Sequence, residues 1–429
     1  MRVTAPTSAF RFRSKELDLQ EVGEKLRVDY ILLGSVRRAG NRLRVTVQLV
    51  DPKHEYCVWS ERYDRTLDDV FLIQDEISSD VVEALKHQIS GISDSGETAW
   101  EQRKERQAKD VHVHEDYLRG RYCLARRSRE SLRQGIAFFS AALEKDPTHA
   151  LSQVGLADCY NLLGYYNERP PREAFPRAKA AAEQAIALNS RLGEAYASLA
   201  YSLTFHDWDW AAADKAFQQG ARLSPGYVSI KHWMTWLHFA RGEFVAALTC
   251  IREAQLADPL ASIVDSHVGL ALAYAGHTDQ GAEQILKTLE LDPDFALAYY
   301  HLGTIYSVGA RLDRAVEAFE SADRKSAGSL GPGRLACAYA SAGRRKDALR
   351  TLQRMEQGGG YASPLELAYV HAGLGDVDSA FRLLEHAVED RSADLVRFRL
   401  HPWRASLRRD PRFEALAGRI GLPAASAQV

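Results

Sequence analysis

Three prolines, Pro225, Pro259 and Pro293, stand 34 residues apart, and each closes a similar phrase: Ala-Arg-Leu-Ser-Pro, Gln-Leu-Ala-Asp-Pro and Leu-Glu-Leu-Asp-Pro. A second marker runs in parallel. Gly242, Gly276, Gly309, Gly343 and Gly375 recur at 32 to 34 residues, and a small residue follows each after five or six positions: Ala247, Ala282, Ala315, Ala348 and Ala380. A fixed period of this length means one supersecondary unit copied along the chain, each copy burying its apolar face against its neighbours. A stacked array of this kind is a surface for holding partners more often than a setting for catalysis.

Composition narrows the class. A chain of 429 residues is too long for one compact core, and 46% hydrophobic with 26% charged residues is ordinary for a globular protein. The formal net charge of −2 lacks the basic bias of a polyanion binder, so no direct nucleic-acid contact is expected. The opening Met1-Arg2-Val3-Thr4-Ala5-Pro6 has no apolar core of signal-peptide length, and no stretch approaches the roughly 18 apolar residues of a membrane span. Cys57, Cys123, Cys159, Cys250 and Cys337 are odd in number and far apart. They read as reduced thiols acting as small buried residues, which fits a cytoplasmic location.

Residues Ala296 to Ala322 display one unit. Tyr299, Leu302, Gly303 and Tyr306 fall on one helical stripe. Gly309 and Ala310 make a turn, since glycine tolerates the left-handed conformation that ends a helix. Ala315, Phe319 and Ala322 then recur at helical spacing on a second helix, and Gly303 and Ala315 are small because the two helices cross closely there. Asp292-Pro293 closes the preceding copy, the proline fitting the start of the next helix. On these residues the unit resembles the tetratricopeptide repeat. About eight copies are expected over residues 113–395, beginning near Asp116, Ala150, Gly193, Val228, Ser262, Ala296, Ser329 and Tyr361. The second is stretched by Tyr165-Tyr166-Asn167-Glu168-Arg169-Pro170-Pro171 and the third by Trp208-Asp209-Trp210. The seventh loses its closing proline to Gly358-Gly359-Gly360 and should be looser. The resemblance implies an all-α right-handed superhelix, capped by a C-terminal segment, 396–429, with a terminal helix around Phe413 to Arg419.

The first ninety residues have a different rhythm. Leu19, Val22 and Leu26 are helical in spacing, with Asp18 placed to cap and Glu21 three residues later. Asp29 to Val36 is an apolar strand, Arg42 to Leu49 alternates strictly, and Ala39-Gly40-Asn41 between them reads as a hairpin turn. Tyr56 to Tyr63 is a third strand, and Ile73, Ile77, Val81, Leu85 and Ile89 line one side of a helix. The expected result is a small α+β unit over residues 1–92, with helices on one face of its sheet. A charged linker, 93–112, follows and reads as a solvated helix, because acids are interleaved with the bases of Gln102 to Gln107.

A narrower resemblance rests on Gly34-Ser35-Val36-Arg37, Gln48-Leu49, Trp59-Ser60-Glu61-Arg62-Tyr63 and Phe71 to Ile77, together with Tyr117 to Tyr122, Gly155 to Tyr160, Trp208-Asp209-Trp210 and Leu407 to Phe413. These look like a bacterial architecture in which a domain similar to the N-terminal domain of TolB precedes a tetratricopeptide array. Relatives of that kind carry an additional strand and helix before the segment equivalent to Val3 to Phe10. The resemblance therefore implies a domain incomplete at its N-terminus, whether by a truncated reading frame, as a natural fragment or through degeneration. It also implies an output module further upstream in such relatives: a winged-helix DNA-binding domain, a protein kinase or a nucleotide cyclase.

Chemistry-bearing motifs are sparse. His112-Val113-His114-Glu115 is the one compact group resembling metal ligands, but histidines at i, i+2 diverge and no third ligand follows at useful spacing. Gly358-Gly359-Gly360 lacks the Lys-Ser/Thr of a phosphate loop. No cofactor, metal or catalytic activity is expected. The basic runs Arg37-Arg38 with Arg42 and Arg44, and Arg126-Arg127-Ser128-Arg129, read as solvated edges that charge keeps from pairing. Arrays of this kind bind extended peptides or helices along the inner groove. Projected from the first helices, that groove takes His232, Trp236 and Phe239 from the fourth copy, Leu270 from the fifth, and Tyr300 and Thr304 from the sixth. These residues are the candidate site for a protein or peptide partner, and in that role they should be partly exposed and face one cavity. The function expected is a non-catalytic protein–protein interaction scaffold of bacterial signalling, with a regulatory fragment of a larger regulator, kinase or cyclase as the alternative.

Overall fold

In a computed structural model of the chain, the described residues are 4, 6–9, 12, 18–39, 42–54, 56–66, 76–82, 84–85, 111–357, 361–403 and 405–423. From Val111 onward they form eight consecutive antiparallel helix pairs. The first helices are Val111–Arg126, Ala150–Tyr165, Gly193–Ser202, Val228–Ala240, Ser262–Tyr274, Ala296–Val308, Pro332–Ser341 and Pro364–Leu374. Each is followed by a second helix, the last being Val377–Glu389. A short 3-10 turn, Ala393–Arg397, a short helix, Ala405–Arg408, and a further helix, Pro411–Ile420, follow.

The sequence markers have local causes. Gly242, Gly276, Gly343 and Gly375 have φ of 72, 93, 79 and 82°, the left-handed region that favours glycine at a helix end. The sixth copy departs from this: Gly309 stays at φ −80° and Ala310 takes the left-handed conformation at φ 56°. Small residues mark close crossings. A Cβ on Gly303 would lie 2.7 Å from the Phe319 ring, and one on Gly155 2.4 Å from the Phe139 ring. Ala315 is fully buried, so Ala315→Trp should destabilise by roughly 2 kcal/mol or more through overpacking. Denaturant unfolding reads this directly, and a near-neutral variant would show that the crossing has room.

After a short helical turn, Pro6–Ala9, the N-terminal unit continues with helix α1, Leu19–Leu26, whose N-cap Asp18 accepts from the Glu21 amide at 3.1 Å. Three strands follow, β1 (Ile31–Ala39), β2 (Arg42–Asp51) and β3 (Tyr56–Thr66), in an antiparallel sheet of order β1-β2-β3 with a register shift at Leu49/Val50. The alternation of β2 turns Leu43, Val47 and Leu49 inward, while Arg44 pairs outside with Asp64 at 2.7 Å. Residues 76–82 and 84–85 are helical, and Ile77 packs on the Leu43, Val47 and Tyr63 cluster. Among the described residues β1 pairs only with β2, and its Leu32 and Val36 are 49% and 67% exposed. An open apolar edge of this kind self-associates. A fragment of residues 1–92 should therefore sediment as oligomers, and a monomer with sharp thermal unfolding would refute that. The unit also touches the array: fully buried Ser8 donates to the Asp258 carboxylate and accepts from the Leu260 amide at 2.8 Å. The expected turn at Gly40-Asn41, most of the linker and the Gly358–Gly360 break lie outside the described residues.

Candidate functional site: the concave face and its plug

The projected groove residues are all buried. His232 is 3% exposed, Trp236 2%, Phe239 2%, Leu270 0%, Tyr300 6% and Thr304 1%. This corrects the expectation of an open, partly solvated groove. Its physical reason is the segment after the last repeat. From Asp390 to Trp403 the chain returns across the concave face and fills it.

The return is anchored by arginines. Arg391 stacks on Trp208 with its guanidinium carbon 4.4 Å from the ring centroid, and donates to the carbonyls of His206 and Asp207 at 3.3 and 3.2 Å. Arg397 lies over Trp236 at 5.1 Å. Arg172 donates to the Glu389 carbonyl, and Trp210 Nε1 to the Gly421 carbonyl at 2.9 Å. The second and third repeats thus meet the eighth and the cap, and the superhelix closes on itself.

A buried polar cluster holds the plug to the last repeats. Arg334 Nη2 donates to Asp394 Oδ2 at 2.6 Å, and Arg397 Nε to Asp394 Oδ1 at 2.5 Å. Tyr369 also donates to Asp394 at 3.1 Å, and the Arg334 guanidinium meets His401 Nδ1 at 3.0 Å. Both guanidiniums are 3% exposed. The flanking cations hold the Asp394 carboxyl below its ordinary range against the opposing effect of burial, and burial raises that of Glu366.

Three histidines from successive first helices stack beside the plug. His232 and His267 have ring centroids 4.7 Å apart with Nε2···Nδ1 at 2.5 Å, and His267 lies 4.8 Å from His301. Burial pushes the His232 pKa down to about 3, and it places His267, His301 and His401 well below their usual value, with Arg127, Arg334 and Arg397 adding repulsion. Each imidazole is thus less basic folded than unfolded, where its pKa is about 6.5. The unfolded chain takes up protons the folded chain refuses, so stability present above pH 6.5 is lost as pH falls. Asp158, raised by burial to about 6, and Glu366 act in the opposite sense. His114 and His149, also lowered by burial, add to the histidine side, so the histidines outnumber the two acids and stability should fall as pH drops below about 6.5. Denaturant midpoints measured from pH 7.5 to 5 check this, and a flat profile contradicts it.

A half-open cavity of about 640 Å³ lies between the repeats and the returning segment. Tyr300 and Leu297 line it from the sixth repeat, Tyr165 from the second, and Asp394 and Arg397 from the plug. A much narrower cleft adjoins it, lined by His232, Trp236 and Arg127 and sharing Tyr165, Tyr166 and Leu297. Tyr300, His232 and Trp236 are thus the groove candidates that border space; Phe239, Leu270 and Thr304 border neither. Reading by period passed over Arg334, Asp394 and Arg397. The available signal was the places where the period fails. The insertion at Tyr165 lines the cavity, that at Trp208 receives Arg391, and Arg127 of a basic run turns inward while its neighbour Arg129 pairs with Glu168. Among the described residues, no group of His, Cys, Asp and Glu is arranged to hold a metal and no helix is long and apolar enough to cross a membrane.

What this fold and site define is an α-solenoid of tetratricopeptide-type hairpins, closed by its own C-terminal segment. No family model matches the chain. It is similar to the putative adenylate cyclase 3 of Rhizobium meliloti (strain 1021), at 32% identity over 209 residues, covering 47% of this chain and 34% of that one. It is also similar to the transcriptional regulator HilA of Salmonella typhimurium, at 24% identity over 246 residues, 56% of this chain and 42% of that protein. Among solved structures, YrrB, a TPR protein with an unusual peptide-binding site, aligns over 44% of this chain and 91% of its own at 21% identity and a TM-score of 0.29. The chain spans less than half the length of these curated relatives.

Proposed function

We propose that this chain is a non-catalytic protein-interaction scaffold, the sensing or docking part of a bacterial signalling system. The observation that carries the reading is the pair of relatives. One is named as a putative cyclase and the other as a transcriptional regulator, and each is matched over only 34% and 42% of its length. Partial matches to proteins named for such different outputs support a part that is separable from the output. The N-terminal unit, with α1 ahead of three antiparallel strands, is on this reading a TolB-N-terminal-like domain. The projected groove is retained as a docking region only at the rim of the cavity whose wall Tyr300 lines, since the plug covers the rest.

A photoreactive residue at Tyr361, on that rim, should trap one discrete protein in native cells, whereas one at Leu349, 44% exposed on a second helix, should trap none. Equal trapping at both positions, or none at either, overturns docking at the rim. The cyclase-named relative favours a second reading, a regulatory portion acting in cis within a larger regulator, kinase or cyclase. Sequencing the native transcript upstream of Met1 separates the two: an in-frame output module supports the second.

A further inference from the structure

We infer that this half-open cavity is a binding site for a small organic anion, a carboxylate or phosphate ester carried on an apolar or aromatic body. The inference does not depend on what the scaffold docks. A volume of about 640 Å³ falls within the range of small-molecule pockets, about 300–1,000 Å³. Its walls combine apolar surface from Leu297, Leu330 and Met355 with the rings of Tyr165 and Tyr300. Neither tyrosine hydroxyl makes a hydrogen bond among the described residues, so both are available to a ligand oxygen.

Unpartnered cationic donors favour an anion. Arg397 is 3% exposed and lines the cavity; its Nε and Nη2 are held by Asp394, but its Nη1 has no hydrogen-bond partner. Buried guanidinium donors are seldom left unpaired, and a ligand oxyanion is the chemistry that satisfies one. Arg127, half-buried in the adjoining cleft, makes no ion pair or side-chain hydrogen bond among the described residues. In the lining Arg129 pairs with Glu168, Arg354 with Asp323 and Arg397 with Asp394, which leaves Glu366, whose neutral form burial favours, opposed by Arg324 and by Arg127 of the adjoining cleft. Size follows from the plug. The 3-10 turn Ala393–Arg397 crosses the concave face, so an extended peptide has no continuous channel, whereas a compact molecule needs only the cavity.

The test uses the full chain and three probes, naphthalene-2-carboxylate, 2-naphthyl phosphate and the uncharged naphthalene-2-carboxamide, titrated by calorimetry. At least one anion should bind saturably at one site, with the amide about tenfold or more weaker. A tighter phosphate identifies a phosphate ester as the natural class, and a tighter carboxylate an acid. Arg127→Met should weaken the anion about tenfold and leave the amide unchanged. Arg397→Gln should do the same; because it disturbs the Asp394 pair and its fold has to be checked, Arg127→Met decides if it unfolds. Ala362→Trp, at an exposed position on the rim, should block both probes without touching the core. Equal affinity for anion and amide, no saturable binding of any probe, or binding that survives Ala362→Trp overturns the proposal.

Discussion

Trp236→Ala should lower the unfolding free energy by about 3–5 kcal/mol, the cost of deleting a large aromatic side chain from a packed interior. The indole is 2% exposed and packed among aromatic rings, with only a narrow cleft beside it. Phe239 and His267 stand edge-on at 5.5 and 4.7 Å, Tyr165 and Phe205 both lie at 6.1 Å, and Arg397 covers the remaining face. Deleting it removes contacts among the second, third, fourth and fifth repeats and the plug at once. Urea denaturation followed by far-ultraviolet circular dichroism reads the loss as a shift of midpoint. Were the midpoint unchanged while partner capture fell, Trp236 would be a groove anchor after all.

Asp394→Ala is the second large effect, again about 3–5 kcal/mol, because it strands two buried guanidiniums. Arg334 and Arg397 are each 3% exposed, and both use this one carboxylate as counter-ion. The decisive comparison is a triple variant, Asp394→Leu with Arg334→Met and Arg397→Met. Removing the whole charge cluster leaves no stranded ion, so most of the lost stability should return. Hydrogen exchange over residues 393–403 should rise sharply in Asp394→Ala and less in the triple variant. A single variant within about 1 kcal/mol of the parent would mean that apolar packing alone holds the plug.

The helical hairpins were legible because their causes are local. Glycine at a left-handed helix end, proline in the turn between copies (Pro225, Pro259 and Pro293 lie there and not at the helix start the sequence suggested) and a small residue at a close crossing each act within one or two turns. Their recurrence therefore reads directly as a repeating unit. The same holds for β2, where strict alternation places Leu43, Val47 and Leu49 inward and Arg44 outward. Even locally the reading slips where two neighbours compete, as when Ala310 and not Gly309 takes the left-handed angle.

The fate of the inner face was not legible. Period assigns His232, Trp236, Phe239, Leu270, Tyr300 and Thr304 to the concave side, but it does not say what lies opposite them. That depends on how far eight small rotations between repeats accumulate, and on whether the end of the chain returns within reach. Arg397 meets Trp236, and Arg391 meets Trp208, across more than 150 residues of sequence, and no local preference encodes such contacts. Sequence alone determined the unit, its number of copies and which face of each first helix turns inward, because these follow from spacing along one or two helices. Only the tertiary structure decided that the inward face is a core with one cavity and not an open groove, because burial depends on the summed geometry of all the repeats and on charges that meet only when the ring closes.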